Sequence, residues 1–167
     1  MQYSSARPWA SLGLAISLGA LGLALFFQIG KEWFPCPLCI IQRYAYLATA
    51  LGFLGIGLTS RKSMWSAVFV LLALLGFVAG AGVAFYHVWV LSNPAQTCGV
   101  DPLQNTLNAL PWVQYWPDMF VADGLCTDEY PPLWGLSLPM WSGLGFLAQG
   151  LVLLIAVRTR QYVKGSW

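Results

Sequence analysis

The chain has 167 residues, 58% of them hydrophobic and only 8% charged, with a net charge of +2. A soluble domain usually carries about 25% charged residues, so these apolar residues are read as facing lipid, not as one large core. With no Lys/Arg cluster, zinc-finger spacing or phosphate-binding glycine loop, a nucleic-acid partner is set aside.

Four apolar blocks are each long enough to span a bilayer, at about 9–29, 40–58, 64–91 and 141–157. The first follows Arg7 and is longer than the ~7–15 residues of a cleaved signal core, so it is read as a retained helix. Segment 30–39 joins the first two helices, and a short polar break at 59–63 joins the second and third. A loop of about fifty residues, 92–140, precedes the fourth and carries nearly all the acids: Asp101, Asp118, Asp123, Asp128 and Glu129. The expected fold is all-α: one membrane domain over 1–167, a four-helix bundle with one long outward loop between helices three and four.

Arg7, Arg61, Lys62, Arg158, Arg160 and Lys164 all fall on one side of this layout, and 63–157 holds no Lys or Arg. The positive-inside rule then makes both termini cytoplasmic and turns 30–39 and 92–140 outward. Trp9, Trp33, Trp65, Tyr86, Trp89 and Trp141 stand where helix ends meet headgroups. Gly76 with Gly80, and Ala20 with Ala24, are small-xxx-small pairs and are read as helix packing. The apolar loop stretches 111–116 and 119–122 are expected to lie on the membrane surface.

All four cysteines, Cys36, Cys39, Cys98 and Cys126, fall in the outward segments, where disulfides persist. Four cysteines allow three pairings; orientation and spacing favour Cys36–Cys39 with Cys98–Cys126. A Cys-x-x-Cys closes too short a loop to be a useful staple, so Cys36-Pro37-Leu38-Cys39 points to redox exchange or metal binding. Cys39 is expected near the first turn of helix two, where unpaired N–H groups and the helix dipole stabilise a thiolate. Arg43 follows by four positions on the same helix face. Read functionally, Arg43 faces Cys39 and an oxygen of a bound electron acceptor; read blandly, it reaches to the headgroups. The chain has no dinucleotide fingerprint and no haem or iron–sulfur ligand set, whereas a lipid-soluble quinone needs only an apolar groove and a few polar groups. Cys98 and Cys126 form either a structural staple or a mobile pair that passes electrons on by thiol exchange. His87 is the only histidine, at about the depth of Arg43. A metal site is a weak reading of one Cys-x-x-Cys with two distant cysteines, and none is assigned.

Pro35-Cys36-Pro37-Leu38-Cys39 with Arg43 resembles the redox motif of the bacterial disulfide bond formation protein B (DsbB) family. Segments 120–126 and 136–141 are similar to that family's loop and the start of its fourth helix, and the likeness covers nearly the whole chain. The resemblance implies a protein-disulfide:quinone oxidoreductase of the bacterial inner (plasma) membrane. It would reoxidise a periplasmic DsbA-type thioredoxin-fold thiol oxidase and pass the electrons to membrane ubiquinone or menaquinone. By the same resemblance, Cys98 forms the mixed disulfide with the partner, Cys126 is its mate, Cys36 exchanges with the loop pair, and Cys39 faces the quinone. Arg43 assists quinone binding, and His87 stands near the active site. Two rivals remain. A vitamin K epoxide reductase-like enzyme would place its Cys-x-x-Cys in a later helix. A four-pass scaffold with two structural disulfides gives no reason for Arg43 beside Cys39.

Overall fold

The computed structural model describes residues 6–60, 63–93, 102–128 and 130–162. Four long helices dominate it: α1 (Arg7–Lys31), α2 (Pro37–Leu58), α3 (Met64–Ser92) and α6 (Leu138–Tyr162). All four are long and apolar enough to cross a membrane, and the expected all-α four-helix bundle is the observed architecture. Between α3 and α6 the chain forms two short helices, α4 (Pro102–Asn108) and α5 (Pro117–Phe120), with a 3-10 turn at Pro111–Gln114 between them. The sequence, with no helical period here, predicts only a loop. Helices this short do not stand alone in water; here they lean on the bundle, with Val113 and Met119 buried.

The helix ends differ from the apolar blocks for local reasons. α1 runs on to Lys31, where Glu32 takes a left-handed backbone (φ 57°) and Trp33 N–H closes on the Phe27 carbonyl. α2 begins at Pro37, three residues earlier than expected, because Cys36 caps it. The Cys36 sulfur accepts the Cys39 N–H at 3.4 Å, and Pro37 occupies the first turn, where no N–H is needed. Cys39 therefore lies within α2 and not in the preceding loop. Ser63 caps α3 through the Trp65 N–H. Before α6, Trp134 (φ 52°) and Gly135 (φ 83°) form a tight reversal closed by a Leu133–Leu136 bridge. Consecutive positive φ values are the pattern of a type I′ turn, and Gly135 suits the second position.

α1, α2, α3 and α6 pack as a ring, and α2, the most buried, also reaches across to α6 through Tyr46. The core is layered along the bundle. Ala10, Phe53, Ile56, Ala73 and Leu153 fill the end remote from the cysteines. Leu21, Ala45, Tyr46, Ala84, Met119 and Phe146 fill the middle, and Cys36, Leu38, Val90 and Cys126 close the other end. Between the first two layers lies a buried polar triad: Gln149 donates to Ser17 Oγ at 2.7 Å, and Ser17 Oγ is 3.2 Å from Thr49 Oγ1.

Small residues set the helix spacing. A Cβ on Gly52 would lie 2.7 Å from both the Cβ and the backbone N of Ala73, so α2 and α3 touch through backbone there. Gly76 faces Thr49, and Gly80 faces the Phe146 ring, as the small-xxx-small reading requires. Ala20 and Ala24 are different: they line a cavity.

The candidate redox site

The two cysteines of the Cys-x-x-Cys meet at the top of α2. Cys36 Sγ lies 3.2 Å from Cys39 Sγ, both as thiols. The helical turn between them brings their side chains onto one side, so a disulfide needs only a small closure. Cys36 is buried; Cys39 is partly exposed. His87, buried on α3, reaches across with Nε2 3.7 Å from Cys36 Sγ. Its Nδ1 lies 3.4 Å from Gln42 Nε2, so Gln42 orients the ring.

Cys126 packs against Cys36 and is hydrogen-bonded to it. Its segment is clamped to the Cys-x-x-Cys loop through backbone. Asp123 N–H and Gly124 N–H both donate to the Pro35 carbonyl, at 3.0 and 3.1 Å. Gly124 packs against the Phe34 carbonyl so closely that no side chain fits. Asn108 fixes the same segment from α4, donating to the Ala122 carbonyl and accepting the Ala122 N–H, each at 2.9 Å. Tyr130 donates to the Phe34 carbonyl at 2.9 Å and stacks on Trp33, which stacks on Phe27. Together these contacts hold Cys126 and Cys39 both against Cys36. Hydrogen bonds to Cys126 and Cys39, with burial, push the Cys36 thiol well above the usual thiol range and keep it protonated. Cys98, and with it the expected Cys98–Cys126 pair, lies outside the described residues.

Arg43 is buried at 5% exposure, so it does not reach out to headgroups. One guanidinium nitrogen donates to the Asp118 and Met119 carbonyls at 2.9 and 3.2 Å, and the other donates to Gln28 Oε1 at 2.7 Å. These bonds tie α2 to α1 and to the end of α5. They satisfy a charge at this depth, and only the planar fork of an arginine bridges three acceptors so placed.

Beside Arg43 a cavity of about 780 Å³ opens between α1, α2 and α6. Its wall is almost wholly apolar, from Ala20 and Ala24 across to Gly145; Cys39, Gln42, Arg43 and His87 are among its few polar residues, with Tyr46, Tyr130 and Ser142. Cys39 lines this cavity, whereas Cys36 stands behind it against Cys126. The six residues singled out from sequence thus divide: Cys36, Cys39, Cys126, Arg43 and His87 are brought to one end of the bundle, and Cys98 is the one not described. Sequence reasoning missed Gln28 and Gln42. Both are polar residues inside apolar helices, and that alone marks them as needing partners.

An apolar cavity with a few convergent polar groups is the usual form of a small-molecule site. The metal-ligating atoms of Cys36, Cys39 and His87 also lie within 4.8 Å of one another.

Residues 6–156 match the family model described as Disulfide bond formation protein DsbB. The chain is 38% identical over 159 residues to "Disulfide bond formation protein B" of Cupriavidus necator, covering 95% of this chain and 96% of that one. It is 42% identical over 151 residues to "Disulfide bond formation protein B 1" of Pseudomonas fluorescens, covering 89% and 88%. With four helices long and apolar enough to span a membrane, and with Cys36, Cys39 and Cys126 gathered at one end, the chain is a multi-pass membrane protein that belongs to the DsbB family of disulfide bond formation proteins.

Proposed function

We propose that this protein is a thiol:quinone oxidoreductase that reoxidises a DsbA-type thioredoxin-fold partner and delivers the electrons to ubiquinone or menaquinone. The observation that carries the reading is the division of the Cys-x-x-Cys. Cys39 lines the apolar cavity, while Cys36 is buried between Cys39 and Cys126. One sulfur addresses a lipid-soluble acceptor and the other addresses the long loop.

In this reading Cys98 of an oxidised Cys98–Cys126 pair is attacked by a thiolate of the partner, which forms a mixed disulfide and releases Cys126. The second partner thiol attacks its own sulfur in that bond and leaves as an oxidised partner, with both electrons now on Cys98 and Cys126. Cys126 exchanges with Cys36, the sulfur it touches, and Cys98 completes the transfer by attacking Cys126. The Cys36–Cys39 pair is then a dithiol. A quinone in the cavity supplies the sink, taking up two electrons and two protons as a quinol when Cys36 and Cys39 close to a disulfide. Arg43 presents fixed positive charge to the oxygen end of that ligand, and the positive end of the α2 dipole lies beside it. His87 and Gln42 orient the polar end of the cavity. The apolar wall fits a quinone ring and the first units of its tail. Arg7 and Arg158 lie at the opposite end of the bundle from Cys36, in keeping with cytoplasmic termini and periplasmic loops in an inner membrane.

The test is turnover. Purified protein in lipid or detergent is given a reduced thioredoxin-fold oxidase and a soluble quinone, and quinone absorbance is followed. Quinone consumption that depends on the partner, and that stops with Cys98→Ser, is expected. Absence of any quinone-dependent oxidation of the partner removes this reading and favours the scaffold.

A further inference from the structure

We propose that the reduced Cys-x-x-Cys and His87 form a binding site for a soft divalent cation such as Zn²⁺, open only in the dithiol state. The site rests on geometry alone; only its consequence for turnover rests on the relay proposed above.

Three soft donors converge from two helices. Cys36 Sγ and Cys39 Sγ are 3.2 Å apart, and His87 Nε2 is 3.7 Å from Cys36 Sγ. All three donor atoms lie within 4.8 Å of one another. Tetrahedral zinc, with Zn–S of about 2.3 Å and Zn–N of about 2.0–2.1 Å, sets ligand edges of roughly 3.5–3.8 Å. The two Cys36 separations, 3.2 and 3.7 Å, straddle those edges and the remaining one is no longer than 4.8 Å, so a cation is accommodated by a modest inward movement of the donors. Two thiolates and one imidazole also leave a fourth position for water, as in zinc sites with three protein ligands.

Gln42 supplies the support that a metal-bound histidine requires. It already contacts Nδ1 of His87 at 3.4 Å. A half-turn of its amide places the oxygen there, accepts Nδ1–H, and fixes the tautomer with a free lone pair on Nε2. Charge is balanced as well. Zn²⁺ displaces one proton from each thiol, giving a complex of two thiolates, one neutral imidazole and water with no net charge. A neutral complex suits a site beside the already buried Arg43. Cys39, the partly exposed ligand, is the point of entry.

The site is gated by redox state. In the Cys36–Cys39 disulfide neither sulfur is a thiolate, and the donor set is lost. In the dithiol the bound cation holds both sulfurs and prevents them from closing. Zn²⁺ therefore inhibits by trapping the reduced form, with no change in oxidation state of its own.

Binding is measured on the full chain carrying Cys98→Ser and Cys126→Ser, so that only this pair of thiols remains. Protein reduced anaerobically and freed of reductant is titrated with Zn²⁺ against a chromophoric chelator, and with Cd²⁺ by its thiolate charge-transfer absorbance. One equivalent in the reduced protein and none in the oxidised protein is expected. Gln42→Leu should weaken binding about tenfold, the low end of the ~10–100-fold range for outer partners of a ligand. His87→Ala should weaken it more, and His87→Cys, which restores a donor, should recover it. Equal uptake by both redox states, no retained cation in the reduced protein, or identical affinity across all the His87 variants overturns the site. Failure of quinone turnover in metal-free protein would count against the relay and not against the site.

Discussion

Arg43 carries two tasks through one guanidinium. It anchors the end of α5 and α1 through three hydrogen bonds, and it lines the cavity beside Cys39. Hydrogen bonds to a charged group contribute about 1.5–3 kcal/mol each, so loss of the fork loosens the cavity wall. Arg43→Lys keeps the charge but cannot span the three acceptors. It is expected to raise the KM for quinone about tenfold or more, since ~1.4 kcal/mol is tenfold in affinity. Steady-state kinetics at varied quinone check this, and an unchanged KM would leave Arg43 as charge alone. Cys36 makes a second prediction at this scale. Its hydrogen bonds to Cys126 and Cys39, with burial, favour the protonated thiol, so its raised pKa leaves little thiolate at neutral pH. In reduced protein, alkylation of Cys36 should rise only at a pH well above that of an ordinary thiol. Mass spectrometry of each cysteine across pH reads this directly, and a midpoint at or below the ordinary thiol range would contradict it. The pattern of Cys39 followed by Arg43 was legible in sequence because helical spacing alone brings them together. The partners Gln28, Gln42 and the Pro35 carbonyl were not, because each contact joins residues from different segments.

At the scale of elements, the four spans were legible because long apolar runs have one stable solution in lipid. Their ends were less so. The start of α2 depends on a cysteine acting as cap, and the end of α1 on a left-handed Glu32. α4 and α5 were not legible, since they are too short to have a period and exist by packing against the bundle. The stretches 111–116 and 119–122 were expected on the membrane surface. The structure divides them: Val113, Met119 and Ala122 are buried against the bundle, and Trp112, Tyr115 and Trp116 are exposed. Close packing of α2 on α3 predicts a sharp response at Gly52. Gly52→Val should destabilise by about 1–3 kcal/mol through overpacking against the Ala73 backbone. The polar triad predicts the opposite. Gln149 Oε1 is buried without a hydrogen-bond partner among the described residues, while Nε2 serves Ser17. Interhelical hydrogen bonds in membranes average ~0.6 kcal/mol, so Gln149→Leu should cost less than about 1 kcal/mol. Reversible unfolding in detergent measures both, and a larger loss at Gln149 than at Gly52 would reverse this ranking.

At the scale of the molecule, the bundle brings two sites into register. One is a cluster of sulfurs in which Cys36 touches both Cys126 and Cys39; the other is an apolar cavity that Cys39 lines. The sequence indicated that the cysteines share one side, through charge asymmetry in the flanks. It could not indicate that Cys36 and Cys39 point to different neighbours, because that depends on how α6 and the loop close over α2. The most direct test of the relay is a single turnover without partner. Fully reduced protein is mixed anaerobically with one equivalent of a soluble ubiquinone or menaquinone analogue; thiols and quinone are then counted together. One quinone reduced per two thiols lost, with the new disulfide between Cys36 and Cys39, is predicted. Four thiols retained in the presence of unchanged quinone would contradict the account.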